Sequence, residues 1–232
     1  MYNINFLLIF ISLFLCTHTV YMEYEICSYE DFKHLLNHWY LPSRCQWLSL
    51  QDFSLTDSDV IFLSQAAISK TGLKGQRIEP ASIEYIDLSR NGFGDQGAIA
   101  IASILSYQRK IKLLAIGGNR FGDEGVSALA QSIGKHEFLE ELYMESTNIS
   151  DNALIILAEA ILENVSLKKL VLDYCLISYK ALNILRKFVA ERQRRGRILL
   201  VSHAGYAVRN LIKKLKCRSF SPLSRISSIL TK

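Results

Sequence analysis

The sequence repeats its apolar pattern every 28 residues over its central part. Ile83, Ile111, Leu139 and Leu167 are each 28 residues apart, and further apolar positions recur in the same register after each of them. In the second unit these positions are Leu114, Ile116, Phe121, Leu129 and Ile133. Internal repetition of this length is typical of solenoids, in which one unit cannot bury its apolar face alone. The chain is therefore expected to stack similar units around one continuous core.

Each unit is predicted to contain a short strand followed by a helix. Leu114 and Ile116 are two residues apart, which places them on one face of a strand. Leu129 and Ile133 are four residues apart, which is the spacing of one helix face. Stacked units of this kind predict an α/β solenoid with a parallel sheet on one side and helices on the other.

The residue pattern of the units resembles that of the leucine-rich repeat family, and within it that of the ribonuclease-inhibitor-like subtype. Residues 83–105 and 111–133 carry the family pattern L-x-x-L-x-L-x-x-N followed by a helix. The resemblance implies a short solenoid with the sheet on the concave side, helices on the convex side and helical caps. It also implies that one residue after each strand points inward and hydrogen-bonds the loop backbone; these residues are Asn91, Asn119, Thr147 and Cys175.

The resemblance divides the chain into a repeat region and two flanking regions. Residues 45–201 hold five turns and a terminal strand at Ile198–Val201, with an irregular insertion at Thr71–Ser82 in the first turn. Residues 20–44 are expected to form an N-terminal capping helix region. Residues 202–232 are expected to form a basic C-terminal cap and a Ser-rich tail.

Residues 1–19 resemble a signal peptide. Their apolar run, Phe6–Cys16, is eleven residues long, which suits a signal peptide and is short for a membrane span of about 20 residues. An uncleaved anchor and a segment packed on the first repeat are the alternatives. This region favours the secretory pathway or the extracellular space, with the cytoplasm as the alternative because the repeat subtype is mostly intracellular.

Two sequons and one cysteine pair matter only in the secretory pathway. The sequons are Asn148-Ile-Ser and Asn164-Val-Ser. Cys27 and Cys45 flank the predicted capping helix and could pair in an oxidising compartment, as in caps of secreted members of the family. No C-x-x-C spacing is present, so a zinc site is not expected.

The sequence does not indicate catalysis, a cofactor, a metal or a small-molecule substrate. Gly92-Phe-Gly-Asp-Gln-Gly97 has the spacing of a dinucleotide fingerprint. The next unit copies this phrase at Phe121–Gly125, so the glycines are interpreted as turn residues of the repeat. Ran GTPase-activating proteins use the same repeat type and in some members contribute an arginine. Arg90 and Arg120 lie near loops and are interpreted as solvated loop residues, so a small-GTPase regulator stays only a distant alternative.

The strand residues that face away from the core are the predicted partner-binding surface. Strand alternation selects positions on either side of each buried strand centre. Aromatic residues around a small apolar centre are typical interaction hot spots, and the acids favour a basic partner segment. The candidates are Trp47, Tyr85, Asp87, Leu113, Ala115, Gly117, Glu141, Tyr143, Glu145, Lys169 and Asp173.

The basic charge is concentrated at the C-terminal end. Residues 186–232 contain 13 Lys and Arg and one acid, a net charge of +12, whereas residues 1–185 contain 14 Lys and Arg and 21 acids, a net charge of −7. A C-terminal cap is the simpler interpretation of this region. The alternative is an anionic partner, either membrane lipid or nucleic acid. The candidates for that role are Arg192, Arg194, Arg195, Arg197, Arg209, Lys213, Lys214 and Lys216.

Overall fold

The computed structural model describes residues 26–27, 45–69 and 82–203. The strands are β1 Ile26–Cys27, β2 Trp47–Ser49, β3 Tyr85–Asp87, β4 Leu113–Ala115, β5 Glu141–Tyr143, β6 Lys169–Val171 and β7 Leu200–Ser202. The helices are α1 Asp57–Ile68, α2 Asp95–Tyr107, α3 Asp123–Lys135, α4 Asp151–Glu163 and α5 Tyr179–Arg194. The strands form one parallel sheet in the order of the sequence. This is the predicted α/β solenoid.

The strand register follows the sequence repeat. Ile86 pairs with Leu114, and Leu114 pairs with Leu142, so residues 28 apart lie side by side in the sheet. The centre of each of these strands is fully buried, and its two flanking residues are partly exposed. One apolar position per unit therefore forms a continuous row in the core.

The core is built from the repeated apolar positions. Phe93 and Phe121 are completely buried, and their rings stack with centroids 6.0 Å apart and an interplanar angle of 9°. Ile101 and Leu129 are also completely buried on the inner faces of α2 and α3. Burial of a large apolar side chain stabilises a protein by about 1.5–3 kcal/mol. The repeated positions are therefore the main source of the solenoid's stability.

The inward residues after the strands connect neighbouring loops as the resemblance implies. Asn119 Nδ2 donates to the carbonyl oxygens of Ile116 at 2.8 Å and Leu88 at 3.0 Å, and its Oδ1 accepts the N–H of Asn91 at 3.1 Å. Thr147 Oγ1 donates to Met144 O at 2.8 Å, which preserves the bond to the carbonyl three residues back. Each unit thereby satisfies loop backbone groups that the next unit would otherwise bury unpaired.

An aspartate at the first position of one helix binds the start of the next helix. Asp95 Oδ1 accepts the backbone N–H groups of Gly122 and Gly125, both at 2.8 Å. A Cβ on Gly125 would lie 2.7 Å from Ala98 Cβ and 2.9 Å from Asp95 Oδ1. Asp57, Asp123 and Asp151 make corresponding bonds to the next unit. Gly97, the last glycine of the G-x-G-x-x-G phrase, has the same role, since a Cβ there would lie 2.8 Å from Phe93 Cβ and 2.9 Å from Asp57 Oδ1.

The last turn differs from its prediction at several points. The final strand is Leu200–Ser202, two residues later at its start than the predicted Ile198–Val201. The last unit is longer than 28 residues, since Leu170 pairs with Val201, 31 residues further along. Ile177 and Val189 pack against the core but are only partly buried. Four predicted regions lie wholly or mostly outside the described residues. They are the segment 1–19, the capping region 20–44 except residues 26–27, the insertion 71–82 except its last residue, and the C-terminal region 202–232 except its first two residues.

Cys45 forms a disulfide bond, whereas Cys175 is a free and buried thiol. Burial raises the pKa of the Cys175 thiol, which suppresses the reactive thiolate. Cys175 Sγ donates to Met144 O at 3.3 Å, in the inward position that the resemblance implies. The pairing of Cys45 with Cys27 stays a prediction, since the side chain of Cys27 lies outside the described part.

Candidate binding surface on the open sheet face

The open sheet face is the side of the sheet that carries the residues flanking the buried strand centres. Parallel register orders these residues into three rows across the sheet. The first row is Trp47, Tyr85, Leu113, Glu141 and Lys169, and the second is Ser49, Asp87, Ala115, Tyr143 and Val171. The third row follows the strands and contains Gln51, Ser89, Gly117, Glu145 and Asp173. All eleven predicted partner-binding residues lie in these rows.

A pocket of about 310 Å³ opens on this face. Six of the predicted residues line it, with Leu113 and Ala115 at its floor in the middle of the sheet. Its full lining is Trp47, Gln51, Asp87, Ser89, Arg90, Leu113, Ala115, Tyr143 and Glu145. Trp47 lies on β2 and Tyr143 on β5, and the side chains of Leu113 and Ala115 on β4 lie between them. The pocket therefore joins residues that are far apart in the sequence.

Two aromatic rings lie on β2 and β3, on one side of the pocket floor. The rings of Trp47 and Tyr85 lie with centroids 5.5 Å apart at an interplanar angle of 38°. The indole Nε1 of Trp47 is buried and has no hydrogen-bond partner among the described residues. Tryptophan and tyrosine combine a large apolar area with a polar atom, which suits them to binding surfaces.

A polar triad lies on β5 and β6, on the other side of the pocket floor. The Tyr143 hydroxyl donates to Glu141 Oε2 at 2.5 Å, and Lys169 Nζ donates to the same hydroxyl at 2.6 Å. Lys169 Nζ also lies 3.4 Å from Glu141 Oε2 and 4.8 Å from the centroid of the Tyr143 ring. Burial and the bond to Glu141 raise the pKa of Tyr143, and the bond to Tyr143 raises the pKa of Lys169. The triad therefore holds the tyrosine ring in one orientation at the pocket wall.

The carboxyl group of Glu145 lies over Gly117 on the neighbouring turn. A Cβ on Gly117 would be 2.5 Å from Glu145 Cδ, so only glycine leaves room for this carboxyl group. Glu145 Oε2 is buried and accepts no hydrogen bond from the part of the chain that the structure describes. Burial raises the pKa of Glu145, with further contributions from the charges of Asp173 and Asp87. The third row thus concentrates negative charge beside the pocket.

Two positive charges on or beside the open sheet face, Arg90 and Lys169, already have acidic partners. Arg90 lies 2.5 Å from Asp52 in an exposed ion pair, and Lys169 is bonded to Glu141 as described. Asp173 accepts from the hydroxyl of Ser202 at 2.9 Å. The electrostatic character of the pocket rim is therefore acidic.

The prediction that Arg192 belongs to a basic surface is wrong. Arg192 is completely buried, and its guanidinium donates to the carbonyl oxygens of Ile161, Asn164 and Leu167. The side chain therefore binds carbonyl groups at and just after the C-terminal end of α4, and it cannot contact an anionic surface. Burial lowers the pKa of Arg192, with a smaller contribution from Arg197.

The other described arginines of this group are exposed or partly exposed and have protein partners. Arg194 and Arg195 bond Glu191 at 3.0 and 3.3 Å, and Arg197 donates to Glu163 O at 3.4 Å. Pairing with Glu191 reduces the charge available to an anionic ligand. The remaining candidates, Arg209, Lys213, Lys214 and Lys216, lie outside the described residues.

Sequence reasoning missed a buried polar ladder to which Arg192 belongs. Gln108, His136, Asn164 and Arg192 are 28 residues apart, and each side chain bonds a backbone carbonyl of the preceding unit. His136 Nδ1 also accepts the N–H of Leu139 at 3.0 Å. Burial is the main cause that lowers the pKa of His136. The sequence signal for this ladder is the recurrence of four polar residues every 28 positions, which a search for repeated apolar residues does not detect.

The described part of the chain offers little sign of other ligand chemistry. In residues 45–69 and 82–203 no group of three His, Cys, Asp or Glu side chains could hold a metal ion. Within the same residues, no helix has the length and apolar character needed to cross a membrane. A second pocket of about 270 Å³ lies at the helix ends and has a mixed-charge rim of Arg109, Lys135 and Glu137.

Comparisons with known proteins concern the repeats. The family model described as "Leucine Rich repeat" matches residues 80–102 and 107–130. No curated protein matches the sequence. A solved structure titled "Leiomodin-1 Actin-Binding Site 2 (ABS2)" is similar, with 18% identity and a TM-score of 0.43, over 53% of this chain and 72% of that chain. The matched repeats and the ordered strand–helix units together make this fold an α/β leucine-rich-repeat solenoid.

Proposed function

We propose that the chain is a non-catalytic protein-interaction scaffold that binds a partner segment on its open sheet face. The observation that carries the proposal is the pocket between Trp47 and Tyr143, with Leu113 and Ala115 at its floor. Solenoids commonly use their extended sheet surface for binding. We also propose, from the residue pattern of the repeats, that the solenoid is of the ribonuclease-inhibitor-like subtype.

The packing of the molecule favours the sheet over the helices as the binding side. Each of the inner helices, α2, α3 and α4, packs between two neighbouring helices, so its sides are occupied by the solenoid itself. The open sheet face instead presents partly exposed apolar and aromatic side chains in ordered rows. Because a regular sheet already holds these side chains in place, binding a partner would cost little conformational entropy.

The charges favour a basic or mixed-charge partner segment. Asp87, Glu145 and Asp173 border the pocket or lie in the row beside it, whereas Lys169 is already bonded to Glu141 and Tyr143. Charge complementarity of this kind speeds association and selects partners. A lysine or arginine of the partner would find carboxylates at the rim and aromatic faces at the wall.

Site-specific photocrosslinking tests where the partner binds. We expect a photoreactive phenylalanine analogue at Leu113 to form adducts in cells, because this position lies on the pocket floor. The same analogue at Ile156, an exposed position on α4, serves as the matched control. Mass spectrometry of the adduct identifies the partner segment and its charge. Equal adducts from both positions, or none from Leu113, would contradict binding on the open sheet face.

Charge and aromatic substitutions test the same proposal by affinity. We expect Tyr143→Ala and Glu145→Lys each to weaken binding of the crosslinked segment by at least about tenfold, the range of interface hot spots. Glu159→Lys makes the same charge change at an exposed position of α4 and should leave affinity unchanged. Circular dichroism melts verify that the variants are folded. Unchanged affinity in both pocket variants would refute the proposed surface.

A further inference from the structure

The two sequons occupy different structural positions of the repeat. Asn148 lies in the loop between β5 and α4, and Asn164 immediately follows α4. The first position is exposed, and the second is 1% exposed. A single tripeptide pattern in the sequence therefore corresponds to one accessible amide and one enclosed amide.

The Asn164 amide is fully used by the fold. Its Nδ2 donates to the carbonyl oxygens of Ile133 at 2.7 Å and His136 at 2.8 Å. Its Oδ1 accepts the N–H groups of Ser166 at 3.0 Å and Leu167 at 2.7 Å. A sugar on Nδ2 would remove one of the two donated bonds and would need space in a buried site. A glycan at Asn164 is therefore incompatible with the folded solenoid.

The position of Asn148 faces solvent in successive units. Arg120 and Leu176 lie 28 residues before and after it, and both are exposed, Leu176 to 66%. The Asn148 side chain makes no hydrogen bond to the described residues, while its neighbours Thr147 and Ile149 are buried and anchor the loop. The repeat itself thus shows that a bulky group at this loop position does not disturb the core.

The disulfide at Cys45 indicates the compartment in which such a group is added. Disulfide bonds form and persist mainly in oxidising compartments, such as the lumen of the endoplasmic reticulum. Asparagine glycosylation takes place in the same lumen. The disulfide and the accessible sequon are independent features that point to one environment.

We propose that Asn148 is an N-glycosylation site of this protein and that Asn164 is not. In the modification, Asn148 Nδ2 forms a bond to the anomeric carbon of a lipid-linked oligosaccharide and loses one proton, and the lipid pyrophosphate leaves. The host's oligosaccharyltransferase catalyses this step. The inference is independent of partner binding on the open sheet face.

The test is the intact mass of the full chain expressed in eukaryotic cells, before and after treatment with a peptide N-glycosidase. We expect the mass of one glycan, removed by the enzyme with conversion of Asn148 to aspartate. Asn148→Gln should abolish the glycan, whereas Asn164→Gln should retain it. A glycan on Asn164 of the folded chain, or a wild-type chain without any glycan, would overturn the proposal.

Leu176→Asn provides a matched gain-of-glycan control. The substitution puts an asparagine before Ile177 and Ser178, which makes the same tripeptide 28 residues after Asn148. We expect this variant to carry one glycan more than the wild type, because the position is equivalent and exposed. If the variant gains a glycan and the wild type has none, Asn148 itself is not a site. If neither chain carries one, the chain does not meet the glycosylation machinery, and the proposal is equally refuted.

Discussion

Replacement of Asn119 by alanine tests how the solenoid joins one turn to the next. The Asn119 side chain is 4% exposed and serves both its own loop and the preceding one. In Asn119→Ala, the N–H of Asn91 and the carbonyl of Ile116 lose the side-chain partners that they have in the structure. The carbonyl of Leu88 keeps a second bond, from Asn91 Nδ2 at 2.9 Å. The part-buried N–H of Asn91 and the buried carbonyl of Ile116 are therefore left without these bonds.

The expected loss of stability follows from these two groups. Each buried group left unpaired costs about 1–3 kcal/mol, which gives about 2–6 kcal/mol for two groups. Because the Asn91 N–H is only part-buried, we expect Asn119→Ala to lower the free energy of unfolding by about 3 kcal/mol, in the lower half of that range. For a protein of this size the melting temperature should fall by about 6–12 °C. Asn119→Thr should lose about half as much, because Thr147 makes the equivalent bond to Met144 O in the next unit.

Urea denaturation measures these differences from the transition midpoint at a constant slope. Asn148→Ala is the matched control: the side chain is exposed, and the change should stay within about 0.5 kcal/mol. The reasoning fails if Asn119→Ala lies within about 1 kcal/mol of the wild type. It also fails if Asn119→Thr is as unstable as Asn119→Ala, since the carbonyl bond would then contribute nothing.

Three further predictions concern packing and pH. Gly125→Ala should destabilise the fold by about 1–3 kcal/mol in urea denaturation because its Cβ would meet Ala98 Cβ at 2.7 Å, whereas Gly134→Ala, whose nearest contact is 3.5 Å, should be neutral or stabilising; equal effects would contradict the packing argument. Burial lowers the pKa of His136 from its usual 6.5, so the unfolded chain takes up the proton first, and the free energy of unfolding should fall as the pH drops below 6.5. His136→Asn should remove this part of the pH dependence, and an unchanged curve would refute the assignment. Burial raises the pKa of Glu145, so the ionised carboxylate opposes folding. Glu145→Gln should therefore be more stable than the wild type at pH 7, and the two should be equally stable at an acidic pH at which Glu145 is protonated. Thermal melts of both proteins at pH 7 and at the acidic pH measure this difference.

The apolar repeat was sufficient to predict the strand centres and the rows of the open sheet face. Ile86 and Leu114 are buried, and Tyr85 and Leu113 flank them on the opposite face, because side chains alternate along any strand. The same 28-residue spacing predicted which residues become neighbours in the sheet. It did not predict that Glu145 would lie over Gly117, which depends on the shape of the loop after the strand.

Polar residues were predicted less well than apolar ones. Arg192 lies in a strongly basic stretch and was assigned to the surface, yet it is completely buried. Its environment is set by carbonyl groups at the end of the preceding unit, including those of Ile161 and Asn164. Charge composition averages over a segment, whereas burial is decided residue by residue.

The sequence by itself determined that this chain forms a stack of strand–helix units, since only such a stack buries every repeated apolar position. Only the tertiary structure decided that a second set of polar side chains, at the helix ends, also faces inward. Gln108, His136, Asn164 and Arg192 share a structural position and differ in chemistry. They are buried because stacking brings unpaired helix-end carbonyls next to them, and a buried carbonyl without a donor is costly. That contact joins atoms from two turns, so it has no signature within either turn alone.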